Sequence, residues 1–357
     1  MTEAIELEFE TKGGSVSREN LQTGETKVDL TGRGITSIGL HPLSKLENLE
    51  ELFLRRNKIT YLDLSPLSHC VRLRLLELSR NELEKVELSP LGSLNHLEEI
   101  SLGANKLTGL DLTPLSNCSS LNRLRLFNNA LTAVHLDSLA NITSFQDLDL
   151  QNNEIKAINL EPLASCKNLE QLNLMYNHLI ELDLSPLAEC QKLKFLYLHH
   201  NELQAIDLDP LKGCHELTIL RLGGNDLQGI DLAPLQRCTS LKRLGLAMNG
   251  ITELDLSPLS SCQDLRVLDI AGNQLTEIDL SPLGDCGDLE EVYLFSNHPQ
   301  ENEFDELNLS PLFQCGELMD LGVPVDADLI ADENLKEQDE FPLAIGELIE
   351  ENRIRWV

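Results

Sequence analysis

Aromatic residues are scarce in this chain of 357 residues, with nine Phe, four Tyr and a single Trp. Positive charge is scarce too. Lys and Arg number 28 against 59 Asp and Glu, a formal charge of −31, and no Lys/Arg-rich tract offsets it locally. A phosphate backbone or an anionic membrane surface would be repelled over most of such a surface, so neither nucleic acid nor membrane is expected as a partner. No apolar run approaches the roughly 18 residues of a membrane span. The opening MTEAIELEFE has neither the basic n-region nor the apolar h-region of a secretory leader. A cytoplasmic location is the expectation.

Recognisable chemistry is missing as well. The chain has no Walker-type phosphate loop, no dinucleotide glycine pattern, no GxSxG elbow, no HExxH pair and no CxxC. No catalytic residue, cofactor site or metal site is expected, and the chain does not read as an enzyme.

What the chain does have is a period. Asparagine returns every 24 residues, at Asn57, Asn81, Asn105, Asn129, Asn153, Asn177, Asn201, Asn225, Asn249, Asn273 and Asn297. Eleven returns in register cannot come from composition, so each period must be one structural unit stacked on the next. Aligned on the asparagine, the periods read LxxLxLxxNxLxxIDLSPLxxCxx. Leu49, Leu52, Leu54, Ile59, Leu62, Leu64, Leu67 and Cys70 are the apolar positions of one period, and Leu193, Leu196, Leu198, Leu203, Ile206, Leu208, Leu211 and Cys214 repeat them.

The LxL pair predicts a short strand with both leucines inward and the intervening residues outward. The asparagine amide, which both donates and accepts, suits the backbone groups of a bend that have no ladder partner. The apolar-Asp-apolar triplet predicts a second short extended piece, with Ser as N-cap and Pro at the first position of a single helical turn.

LxxLxLxxNxL resembles the leucine-rich repeat signature over about residues 27–323, while the IDLSPLxxC half is a less common variant. The resemblance implies an α/β-type repeat solenoid. In such a fold a curved horseshoe carries a concave parallel β-sheet, a convex side of short strands and single helical turns, and a binding role for proteins. The expected organisation is an N-terminal cap over 1–26, a solenoid of 12–13 repeats over 27–323 with an insertion near 298–306, and a C-terminal cap with a short helix over 324–357. In the first cap Ile5, Leu7 and Phe9 alternate with glutamates as in a half-buried strand, and Ser17–Leu21 is expected as a helical turn. In the last, Leu343, Ile345, Leu348, Ile349 and Trp356 are expected to bury.

All nine cysteines, from Cys70 to Cys315, occupy the SPLxxC slot, where Leu94 and Ile142 also occur. That interchange predicts a buried column of free thiols. An acidic column runs through Asp63, Glu87, Asp111, Asp183, Asp207, Asp231, Asp255 and Asp279. It is expected to be solvated and locally hydrogen bonded, since one acid per turn is too few for repeat-type calcium sites. His178, His199 and His200 lie on neighbouring repeats without a thiol or carboxylate at ligand spacing and are read as surface histidines.

The informative positions are the outward strand residues, which vary from repeat to repeat. These 36 positions hold six of the fourteen aromatics, where chance would place one or two. From Gln171 to Ala247 they carry no Asp or Glu but include Met175, Phe195, Tyr197, His199, Arg221 and Arg243. This stretch is expected to bind a protein or peptide partner, because exposed aromatic and Arg residues on a rigid surface have hot-spot composition. Arg123, Arg125 and Phe127 form a second spot beside Asp147 and Asp149, and Phe53, Arg55, Tyr293 and Phe295 complete the candidate contacts. The expected protein is a monomeric, non-catalytic scaffold; a self-assembling structural protein or an enzyme's regulatory subunit is the alternative.

Overall fold

The computed structural model describes residues 4–295 and 301–357, in two compact units, Met1–His178 and Leu179–Val357. Each unit is a stack of the 24-residue period. Seven parallel three-residue strands lie in the first, from Lys27–Asp29 to Gln171–Asn173, and six in the second, from Phe195–Tyr197 to Asp320–Gly322. Register is constant: Leu52 opposes Leu76 and Leu76 opposes Ile100, while in the second unit Leu196 opposes Leu220 and Leu220 opposes Leu244. The inward leucines are fully buried in continuous columns. Each contributes about 1.5–3 kcal/mol, which a lone period could not collect because half of each leucine would face water.

The asparagines are rungs, most of them buried and Asn105 and Asn129 half-buried. Asn57 accepts the Ile35 amide at 3.0 Å and donates to the carbonyls of Leu30 and Leu54 at 2.9 and 2.8 Å. Asn225 makes the same three bonds, to Leu203, Leu198 and Leu222. Asn297, expected as the last rung, and the start of the expected 298–306 insertion lie outside the described residues. The rung is instead Asn302: it accepts the Leu275 amide at 3.0 Å and donates to the carbonyls of Ile270 and Leu294. The five extra residues of that period therefore precede the rung, where the sequence reading placed them after it.

The residue before each rung from Asn57 to Asn273 has a left-handed backbone, with φ between 51° and 67° from Arg56 through Ala104, Tyr176 and Met248 to Gly272. Its amide donates across to the next period, as from Ala104 to the Phe127 carbonyl at 2.6 Å. Only Gly224 and Gly272 of this column are glycine, the residue that tolerates the conformation without strain.

The single helical turns of the outer side are 3-10 turns such as Ser65–His69, with Pro in the opening positions. Leu64, Leu67, Cys70 and Leu73 are spaced by three, and each amide bonds the carbonyl three residues before it, Leu67 to Leu64, Cys70 to Leu67 and Leu73 to Cys70. A helix of 3.0 residues per turn keeps every third residue on one side, which the α period would not. The expected serine N-cap is not formed. Asp63 accepts the Ser65 amide at 2.9 Å instead, and Asp255 accepts both the amide and the hydroxyl of Ser257 at 2.8 Å. The acidic column is thus a series of exposed turn-closing carboxylates.

The expected outer strands form only at the ends. Ile35–Ile38 pairs with Ala4–Thr11, and Glu306–Asn308 pairs with Asp328–Ala331. Among the described residues the triplets between have no ladder, because the neighbouring period offers only its own carboxylate-closed turn. At the N-terminus Ile5, Leu7 and Phe9 are buried as the alternation predicted. Ser17–Leu21, expected as a helical turn, belongs to the strand Ser15–Gln22 hairpinned onto Ala4–Thr11, where Arg18 reaches Glu6 and Glu8 across the pair. At the C-terminus the helix Leu343–Glu350 buries Ala344, Ile345 and Leu348 but leaves Leu343 exposed, and Phe313 takes Phe341 and Trp356 edge-on. No helix among the described residues is long and apolar enough to cross a membrane.

Candidate functional site

All thirteen candidate contact residues project from the strand face, half-buried between their neighbours along the stack. In the first unit most of them are already occupied. Phe53 lies under the Lys27 ammonium, 4.4 Å from the ring centroid. Arg55 has its Nε buried with no hydrogen-bond partner among the described residues. Arg123 bonds Glu99 at 2.9 Å and Asp147 at 3.1 Å, and Arg125 approaches Glu99 at 3.3 Å, so the expected basic spot is an ion-pair network. Register explains it, since residues 24 apart face each other on adjacent strands. Next to it burial pushes the Asp149 carboxyl up to about 6, aided by the Asp147 charge. The Phe127 ring lies against Gly103, leaving no room there for a Cβ. Met175 is half-buried at the end of this unit.

The second unit is different. Phe195, Tyr197 and His199 form a row along one strand: Phe195 and Tyr197 are nearly coplanar in orientation, 8° apart with centroids at 6.4 Å, and His199 meets Tyr197 edge-on at 6.2 Å. Burial holds the His199 ring well below its ordinary range, to about 4, with the charges of His200 and Arg221 adding to the effect, so it is a neutral ring at physiological pH. Beside the row is a pit of about 310 Å³ lined by Arg221, Gly223, Arg243, Gly245, Asp269 and Tyr293, among others.

Two strands build the pit by offering no side chain. A Cβ on Gly223 would stand 2.8 Å from the Ala247 carbonyl, and Gly245 lies under the Arg221 stem. Two glycines 22 apart, set diagonally on adjacent repeats with Gly245 opposite Arg221, were the sequence signal for this pit. Asp269 lay just past the acid-free stretch, and His200 and Met248, also on the rim, belong to the left-handed column. Arg243 reaches Glu291 only at 4.0 Å, and the Arg221 guanidinium makes no hydrogen bond or ion pair among the described residues, though its charge acts on the Asp269 carboxyl. Tyr293 donates to Asp320 at 2.7 Å, and Phe295 stands half-buried on the same strand face.

All nine cysteines are buried and none is in a disulfide, and Cys70, Cys118 and Cys238 donate to the carbonyls of Leu43, Leu91 and Leu211 in the preceding repeats. Their thiols are pushed up by burial, Cys70 to about 11 and Cys238 to about 12.

No curated protein matches the chain. Among solved structures it is similar to an internalin, inlF, from Listeria monocytogenes, at 27% identity and a TM-score of 0.65, covering 86% of this chain and 90% of that one. It is also similar to the functional domain of InlJ from the same organism, which includes a cysteine ladder, at 25% identity and a TM-score of 0.67, covering 87% of this chain and 66% of that one. A leucine-rich repeat protein of Leptospira interrogans shares the fold at 23% identity and a TM-score of 0.63, covering 85% and 84%. Models of the leucine rich repeat match from residue 26 to 250 in six overlapping segments, and a two-copy model matches 239–283. The repeat period, the asparagine rungs and these matches agree, and the chain belongs to the leucine-rich repeat family.

Proposed function

We propose that this chain is a non-catalytic recognition protein, cytoplasmic and monomeric, that grips a protein or peptide on the strand face of its second unit. Proteins of the family are in general protein-interaction scaffolds. The observation that carries the reading here is the contrast between two sets of face residues. Most of those in the first unit are engaged, Phe53 by Lys27 and Arg123 and Arg125 by Glu99 and Asp147, whereas Phe195, Tyr197, His199 and Arg221 present an aromatic row and a guanidinium that makes no ion pair among the described residues. Desolvating such a row against a partner yields the energy that concentrates in hot spots. Nine buried cysteines, none in a disulfide, favour a reducing compartment. The charge of −31 disfavours nucleic acid.

A photo-crosslinking amino acid at Tyr197, with Tyr61 on the outer side as control, tests the reading by mass spectrometry of the adducts. Adducts specific to position 197 support it, and adducts recovered equally at both positions sink it. A molar mass by light scattering well above 39.9 kDa would favour self-assembly instead.

A further inference from the structure

Resting on that reading, we propose that the pit beside the aromatic row holds one acidic side chain of an extended peptide, with its carboxylate on the Arg221 guanidinium. The pit is lined from five successive repeats, from His199 to Tyr293. Its floor is Gly223 and Gly245, and side chains rise on both sides, Arg221 on one and Asp269 and Tyr293 on the other, with Arg243 along the edge. A volume of about 310 Å³ admits one side chain and not a folded element.

Charge decides which side chain. The chain carries 59 acids, and elsewhere on the same face the period supplies them where arginines stand: Arg123 has Glu99 on one side and Asp147 on the other. At the positions facing Arg221 along the stack are Tyr197 and Gly245, so this half-buried guanidinium makes no ion pair; the carboxylate in its row, Asp269, stands one repeat beyond Gly245 and feels the Arg221 charge without pairing with it. Burying it further under an apolar or amide side chain would leave its charge uncompensated, and an amine would be repelled by two guanidiniums. A carboxylate gains charge-assisted, bidentate hydrogen bonds. Asp269 and Glu291 at the far side set the upper limit on negative charge, so a single carboxylate fits and a dianionic phosphate does not. The row Phe195, Tyr197 and His199 lies beside the pit and offers stacking area to the residues flanking the acid.

Selection of displayed linear dodecapeptides against the full chain tests this, with binding of the enriched peptides measured by fluorescence polarisation. The expected result is a shared Asp or Glu. Changing that residue to its amide, or making Arg221→Gln in the protein, weakens binding about tenfold or more, and combining the two changes adds little further loss, as for a directly interacting pair. Arg221→Gln should leave the thermal midpoint unchanged, which separates loss of contact from loss of fold. Enriched peptides that lose binding with Tyr197→Ala but share no acid, or that ignore Arg221→Gln, overturn the acidic-side-chain assignment and leave the recognition reading standing. Enrichment insensitive to Tyr197→Ala, or no enrichment, overturns both.

Discussion

The side-chain carbonyl of Asn153 accepts the backbone amide of Leu131, 22 residues earlier, at 3.1 Å. The same amide group donates to Leu126 and Leu150 at 3.1 and 3.0 Å, so one side chain satisfies three buried backbone groups from two periods. Asn153→Ala strands all three. Unfolding in urea should show a loss of about 3–5 kcal/mol, whereas exposed Asn117→Ala should stay within about 0.5 kcal/mol. Equal effects at the two sites would mean that the rung is not a stabilising device.

Asp149 sets a pH dependence. Its carboxyl is only 8% exposed and titrates near 6, against 3.8 for an unburied one. Between those two values the folded chain holds a proton that the unfolded chain has released, so this group's contribution to stability is lost as pH rises through 6. Asp149→Asn, which mimics the protonated form, should stabilise the protein by about 2 kcal/mol at pH 7.5 and by almost nothing at pH 3.5. Thermal melts of both proteins at the two pH values measure it. A variant less stable than the parent at pH 7.5 contradicts the burial argument.

The outer carboxylates work in the opposite sense. Hydrogen bonds from the Ser65 hydroxyl and amide hold Asp63 below its ordinary range, and Asp111, Asp183 and Asp279 are held down by the residue two positions on in the same way. Their contribution is fully present above the ordinary carboxylate value and disappears as pH falls through the lowered folded values. Removing Asp63 and Asp111 together by Asn substitution should flatten the acid limb of the melting profile; an unchanged limb would show these bonds to be idle.

Thiol reactivity offers a further test. With Cys118 and Cys286 pushed up to about 11 and 12, the thiolate fraction at pH 8 is negligible and the sulfurs are buried. A chromogenic disulfide reagent should titrate none of the nine cysteines in the native protein and all nine in denaturant. Rapid native labelling of several would contradict the buried column.

Ala104 sits at φ 54° with its amide tied to the next repeat. Ala104→Gly removes strain at the cost of a looser unfolded chain and should raise stability by about 0.5–1 kcal/mol. A lower melting temperature would show that the left-handed column carries no penalty for a Cβ.

Much of the stack was legible in the sequence because every period restates it. The rungs, inward leucines and thiol column follow from residue identity alone. The left-handed column was hidden because Arg, Ala, Asn, Tyr, His and Met all occupy it, so no residue type marks it. Ser17–Leu21 was misread since SREN carries no apolar period, and only the cross-strand reach of Arg18 reveals its partner. On the strand face, aromatic content pointed to Phe195–Tyr197, where the ring row forms. The spending of Arg123 and Arg125 on Glu99 and Asp147 could have been deduced, as every residue pair 24 apart on the face is a neighbouring pair.

Asn302 closes the last rung 29 residues after Asn273, where every earlier interval is 24. Alignment of one coil on the next is therefore kept by donors and acceptors that must meet, and not by the amount of chain between them. A foreign segment spliced between Phe295 and Asn302 should thus leave the stacking undisturbed, making this the natural place to attach a probe or a second recognition element.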